Sequence, residues 1–305
     1  MRRMLVVLAG VSFIGIAFWG NFFGFTNATA INGRPSYIGD EQVAFSYIGG
    51  PENIYAVGLD GSNPRVLIDE QYATFRPVWS PDRSHLLFTA NIDGMHAIGR
   101  VDTDGSNFEI ISDPALSWGD PDYNPEGTAI VFFTDEPHQR NLYIQDVSTG
   151  EASLLTDTAD LEETSPRWSP DGSSIVFVGK NTGERDESDI WVIDPASGLQ
   201  RNVTGTPAVG EFHPEWAPNG QQVVFIRAGE PEWSVVLLDI NSQTEIVLAR
   251  GGDGVVLSPH FTSDGTIVTF TRTSFDDNSG TVPTLVGYLL ETQTEFEIAP
   301  ATIFR

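Results

Sequence analysis

The sequence predicts an all-β protein: a six-bladed β-propeller of four-stranded blades, placed behind an N-terminal signal peptide or membrane anchor. Three observations carry that expectation. One phrase recurs every 42 to 48 residues, each recurrence holds four short apolar stretches punctuated by turn residues, and no helical period is found beyond the leader. The implied division is residues 1–30 for the leader and 31–305 for the propeller.

The leader begins with the basic start Met1-Arg2-Arg3, followed from Met4 to Phe25 by an uncharged, mostly apolar run. Two readings stay open. A secretory signal would be cut at the small-residue site Ala28-Thr29-Ala30, before Ile31, whereas an uncleaved anchor would use the same run to span a bilayer. The run exceeds the ~7 to 15 residues of a usual signal core, which favours retention, while the small-residue site favours cleavage. Both readings export the rest of the chain.

The repeated phrase is a Pro, an aromatic residue two positions later, a turn, and an apolar strand ending in Phe. It reads PVWSPDRSHLLF from Pro77, PDYNPEGTAIVF from Pro121, PRWSPDGSSIVF from Pro166, PEWAPNGQQVVF from Pro214 and PHFTSDGTIVTF from Pro259. A shorter copy, PSYIGDEQVAF from Pro35, precedes them. Pro is expected at the first residue of a strand, where its missing amide hydrogen breaks no ladder bond. The aromatics Trp79, Tyr123, Trp168, Trp216 and Phe261 are sized to fill the seams between blades. In the turn, Asp82, Asp171 and Asp264 bond locally, and Gly127, Gly172, Gly220 and Gly265 supply positive φ. A third strand follows (NLYIQDVSTG, DIWVIDPASG), then a short outer strand such as ASLLT or QRNVT. The sequon Asn202-Val203-Thr204 falls on that outer strand and is read as structural. The ring closes either with the Pro35 segment completing the first blade or with the tail Ala301–Arg305 adding a strand to it.

Composition bounds the partners. Lys plus Arg is 16 against 42 for Asp plus Glu, a formal charge of −26 with one lysine, Lys180, which excludes nucleic acid as a partner. The same field attracts cations and basic protein surfaces. Cysteine is absent, removing disulfides, thiolate nucleophiles and cysteine-based zinc sites.

The phrase P-x-W-S-P-D-G, followed by an apolar strand, an I-x-V/L-x-D strand and a short L-T-like strand, resembles the TolB-type β-propeller repeat of bacterial periplasmic proteins. The resemblance runs from about Pro35 to Pro300, with a weak first copy and without the N-terminal α/β domain of TolB itself. It therefore implies a propeller and not a role in the Tol–Pal system. Propellers of this type serve as docking platforms, as non-catalytic domains of prolyl-oligopeptidase-like peptidases, or as metal-dependent polysaccharide lyases, so fold alone does not choose. G-x-S-x-G, H-E-x-x-H, G-x-G-x-x-G and G-x-x-x-x-G-K-[ST] are all absent from the sequence.

Site residues are expected where the inner strands meet the channel. Those before the repeat Pro are Arg76, Asp120, Ser165, His213 and Ser258; those after it are Val78, Asp122, Arg167, Glu215 and His260. The two sets share strand parity and so face one side. His213 and His260, with Glu215 and the acids Asp120 and Asp122, offer nitrogen and oxygen ligands for a divalent metal such as Mn²⁺. Their structural reading is hydrogen-bonded polar residues at strand starts. Arg76 and Arg167 are expected to pair with Asp120 and Asp122. His85, His96 and His138 are placed off the channel. The acid-rich stretches TADLEET, GERDESD and FDDNSG make an acidic rim, with Trp118 and Trp233 as binding anchors in channel-face loops and Trp191 in the core.

The resulting expectation is a non-catalytic, extracytoplasmic binding or scaffold propeller whose acidic channel face docks a protein or small ligand. Its partner is a protein of the cell envelope, and Met4–Phe25 is its tether if retained. The alternative is a metal-dependent, carbohydrate-active (lyase-like) enzyme using His213 and His260. No cofactor other than that channel metal is expected.

Overall fold

The computed structural model of the chain describes residues 30–38, 42–48, 54–58, 65–68, 72–112, 118–136, 139–182, 187–207, 209–229, 232–274 and 284–299. The apolar run Met4–Phe25, His138, most of the GERDESD and FDDNSG stretches, and Ala301–Arg305 lie outside them. All the regular elements described are strands, and among the described residues no helix is long and apolar enough to cross a membrane.

The strands fall into groups of four. The first group is β1 (Ala30–Ile38), β2 (Gln42–Ile48), β3 (Ile54–Gly58) and β4 (Arg65–Ile68). The second is β5 (Ala73–Trp79), β6 (His85–Ile92), β7 (Met95–Asp102) and β8 (Glu109–Ile110). The third is β9 (Trp118–Tyr123), β10 (Ala129–Glu136), β11 (Gln139–Asp146) and β12 (Ala152–Leu154). The fourth is β13 (Leu161–Trp168), β14 (Ile175–Asn181), β15 (Ser188–Ile193) and β16 (Gln200–Asn202). The fifth is β17 (Gly210–Trp216), β18 (Gln222–Ala228), β19 (Ser234–Asp239) and β20 (Thr244–Arg250). The sixth is β21 (Gly254–Phe261), β22 (Ile267–Ser274), β23 (Thr284–Leu289) and β24 (Thr294–Ala299).

Each group is an antiparallel meander in chain order, and a single parallel bridge, Ser188 to Gly210, joins the fourth to the fifth. The first strands β1, β5, β9, β13, β17 and β21 each lie against the next, and β1 also lies against β21. The Pro35 segment is thus the first strand of the first group. Antiparallel order places every second-to-third-strand hairpin at the same end as the start of the next first strand.

The repeat phrase sets this packing. Phe88, Phe132, Phe177, Phe225 and Phe270, each eleven residues after its Pro, are fully buried. The aromatic two after the Pro fills the seam with the preceding group: Trp79 packs with Ile54 and Ala56, Tyr123 with Leu87 and Ile98, and Trp216 with Val176 and Val178. Phe261 meets Val224 and Ile226 in the same manner.

The Pro itself is not at a strand start. Pro77 is the fifth residue of β5, and the ladder to β6 skips a residue between Phe75 and Val78. Equivalent register shifts sit at Pro121, Pro166, Pro214 and Pro259, and a wider one, four residues against two, spans Pro35. The physical reason is that at the Pro a first strand is paired on one side only, the single bridge from β17 to β15 lying at Gly210, and a β-bulge absorbs the unpaired imino residue.

Candidate functional site

The bulges at Pro77, Pro121, Pro166, Pro214 and Pro259 place the residue before the Pro in the left-handed region: φ is 57° at Arg76, 53° at Asp120, 54° at Ser165, 53° at His213 and 53° at Ser258. None is glycine, so each position carries roughly 1–2 kcal/mol of backbone strain. The bulge, rather than simple alternation, brings the residues on both sides of the Pro into one belt around the channel.

The belt is continuous over five successive first strands. Arg76 forms an ion pair with Asp120, whose side chain is only 2% exposed, and Ser165 Oγ donates to Asp120 Oδ2 at 3.0 Å. Arg167 lies 3.9 Å from Asp120 and 4.0 Å from Glu215, and Glu215 Oε1 is 3.3 Å from His260 Nδ1. The Ser258 amide donates to His213 Nδ1 at 3.3 Å. The expected pairing of Arg76 and Arg167 with Asp120 is present. Asp122 turns aside, its Oδ2 accepting the Trp168 amide at 2.8 Å. Signs alternate along the belt from Arg76 to Asp120, Arg167 and Glu215, so charge is neutralised locally.

The metal expectation meets a different geometry. His213 stands in the middle of β17 and His260 next to the end of β21 rather than at strand starts, and His260 meets the Glu215 carboxylate. Among the described residues no group of three or more His, Cys, Asp or Glu side chains is arranged to hold a metal ion.

The aromatic anchors separate. Trp118 is not in a loop; it opens β9, is 7% exposed and stacks on Phe132 with centroids 4.4 Å apart. Phe132 on the paired strand β10 covers it within its own sheet, and it shares a buried cluster with Leu87 and Ile98 of the preceding group. Trp233 is half-buried just before β19, stacked on Phe212 at 6.4 Å, at the end of the fold where the second-to-third-strand hairpins emerge. Trp191 lies on β15, stacked on Phe177.

TADLEET does not lie wholly on the rim, because Leu161 starts β13 and Glu163 is fully buried. Burial pushes the Glu163 carboxyl above its ordinary value, opposed by hydrogen bonds from the Thr156 and Thr158 hydroxyls. Glu211 occupies the same place in β17, three residues before the Pro, and burial raises it too, against the pull of Thr204 and Arg227. Thr156 and Thr204 also accept the amides of Leu142 and Ile190, so the L-T-like end of one group ties to the buried acid of the next. The signal for both acids was their shared offset from the repeat Pro.

The turn acids are structural, as expected. Asp82 accepts from Ser80 Oγ at 2.6 Å, the Ser84 amide at 3.0 Å and Ser84 Oγ at 2.8 Å, which holds its carboxyl at about 2. Asp171 and Asp264 are lowered by the same bonds. Asn202 Nδ2 donates to Asp189 at 2.7 Å and its Oδ1 accepts the amides of Thr204 and Gly205, which agrees with the structural reading of the sequon.

Four-stranded meanders whose first strands follow one another around a channel define a β-propeller. The chain belongs to the TolB beta propeller domain family, which matches residues 23–184 and 117–282. An uncharacterized protein of Agrobacterium fabrum, Atu1656, is 30% identical over 136 residues, covering 41% of this chain and 46% of that protein. The chain spans less than half the length of the curated relatives it matches. TolB from Acinetobacter baumannii superposes with a TM-score of 0.71 at 18% identity, over 94% of this chain and 68% of that one. An oligogalacturonate lyase in complex with manganese does so with a TM-score of 0.59 at 18% identity, over 85% of this chain and 74% of that one. At such identities the likeness concerns the fold alone.

Proposed function

We propose that the chain is an exported, six-bladed, non-catalytic propeller that docks a protein partner at the channel end where the second-to-third-strand hairpins emerge. The observation that carries this reading is the belt: five successive first strands contribute charged or hydrogen-bonding groups to one place, and those groups are spent on pairing with one another. Such a belt stiffens the ring and leaves recognition to the surface above it. There stands the half-buried Trp233, and in the sequence the stretches between β14 and β15 and between β22 and β23 are acid-rich. With a net charge of −26, the partner surface is basic. The basic start and the apolar run Met4–Phe25 support export. TolB acts in the Tol-Pal system by name, and a docking role for this chain is consistent with that relationship.

Photo-crosslinking in cells tests the proposal. A crosslinking residue at position 233 is expected to give adducts with a protein partner that weaken as ionic strength rises. The same residue at position 199, on an exposed hairpin at the opposite end, is expected to give none. Equal labelling from both positions, or none from 233, overturns the reading.

A further inference from the structure

The seam between the second and third groups differs from the other seams, and the difference is chemical. His85 opens β6, and its Nε2 lies 2.9 Å from the hydroxyl of Tyr123 on β9, the rings meeting edge to face at 5.7 Å. On the other side its Nδ1 is 2.7 Å from Ser84 Oγ, which reaches Asp82 Oδ1 at 2.8 Å. In the other full copies of the phrase His85 is replaced by Ala129, Ser174, Gln222 and Ile267, and Tyr123 by Trp79, Trp168, Trp216 and Phe261. Both special residues meet at this one seam.

We propose that Asp82, Ser84, His85 and Tyr123 form a proton-operated clasp that holds the second and third groups together when His85 is neutral and loosens when it is protonated.

The direction of every hydrogen bond follows from the donor inventory. The Asp82 carboxylate only accepts, so the single Ser84 hydroxyl hydrogen goes to it and Ser84 Oγ is left to accept from His85 Nδ1–H. His85 Nε2 is then the acceptor of the Tyr123 hydroxyl hydrogen. Asp82 is held at about 2 and burial pushes Tyr123 up to about 12, so neither changes charge in the neutral range and His85 is the one switchable member.

A proton on Nε2 puts two donors face to face. Tyr123, 8% exposed, must then turn its hydrogen into the packed seam formed by Leu87, Ile98 and Phe132. The groups facing His85 from the surrounding strands are Arg100 and Asp102 of β7, Glu109 of β8, Asp82 of the turn and Tyr123 of β9. Burial and then Arg100 lower His85 from its ordinary 6.5, against the opposite pull of Asp82, Asp102 and Glu109. Arg100 is itself ion-paired with Glu109.

The sign follows from linkage. A histidine lowered on folding makes the folded state resist protonation, so the seam weakens as pH falls through the ordinary imidazole value. The device would let an acidified compartment open this seam while those closed by Trp79, Trp168, Trp216 and Phe261 stay shut.

The test follows the ring of His85 by ¹⁵N-edited NMR in the full chain, together with thermal unfolding at about pH 7.5 and about pH 5.5, values that bracket free imidazole. The expected results are a neutral Nδ1–H tautomer, a titration midpoint below 6.5, and a fall in unfolding temperature on acidification that exceeds the fall in His85→Gln. Tyr123→Phe keeps the ring but removes the clash of donors, and its His85 midpoint is expected to rise above the wild-type one. If His85→Gln does not fold, the Tyr123→Phe comparison decides alone. An Nε2–H tautomer, a wild-type midpoint at or above 6.5, parallel pH curves for wild type and His85→Gln, or an unmoved midpoint in Tyr123→Phe overturns the proposal.

Discussion

Asp120→Asn isolates what charge contributes to the channel belt. Asn tolerates the left-handed backbone at φ 53° as well as Asp does, keeps an oxygen for the Ser165 hydroxyl, and matches the carboxylate in size, so only the charge is lost. Arg76 and Arg167 then both lose the Asp120 charge, Arg167 keeping Glu215 at 4.0 Å. The Arg76 side chain is 11% exposed and that of Arg167 is 5% exposed, so water replaces little of it. Removing one partner of a buried pair costs about 3–5 kcal/mol, and the retained amide oxygen argues for the lower end, about 3 kcal/mol. For a domain of this size that corresponds to a fall of roughly 6–12 °C in Tm. Calorimetry and urea unfolding would measure it, with the loss expected to persist in about 1 M salt because a buried pair is screened little. A loss below about 1 kcal/mol, the range of exposed pairs, would refute the view that the belt is a dry, mutually neutralising network.

Three further outcomes follow from the same structure. Arg83 stands at φ 62° in a turn where the later copies of the phrase have glycine, so Arg83→Gly should raise stability by about 0.5–1 kcal/mol, read as a higher urea midpoint at unchanged slope; a loss would show that the side chain does more than occupy the turn. Glu163→Gln should flatten the pH dependence of stability. With its pKa raised on folding, Glu163 contributes stability that is fully present below about 4.5 and is lost as pH rises through the folded value, so wild type and variant should converge at acid pH and separate above it. Trp216→Ala should cost about 3–5 kcal/mol, since the indole is 7% exposed in the seam with Val176 and Val178 and its Nε1 donates to the Arg167 carbonyl at 3.2 Å; a loss of the size seen at surface sites would mean that the seam collapses around the gap.

Some of the site was legible from residue types and spacing, and some was not. Arg76, Asp120 and Arg167 were expected to pair because opposite charges flank the repeat Pro in successive copies, and they do. Asp122 is also expected in that pairing, and its carboxylate accepts the Trp168 amide of the next first strand, a backbone partner that residue type and strand parity do not reveal. Trp118 and the TADLEET stretch that holds Glu163 are expected in loops of the channel face. Trp118 and Glu163 are both buried, since the covering atoms come from other strands of the sheets and the neighbouring seams.

By itself the sequence determined the repeat, the all-β class, and the identity of the residues that fill the seams. Those depend on local turn chemistry and on an aromatic and a Phe at constant offsets from each Pro. Tertiary structure alone decided where each Pro sits in its strand, which charges touch across the channel, and which polar groups are sealed from water. Such contacts form between residues some forty-five positions apart, and their geometry exists only once neighbouring sheets have packed.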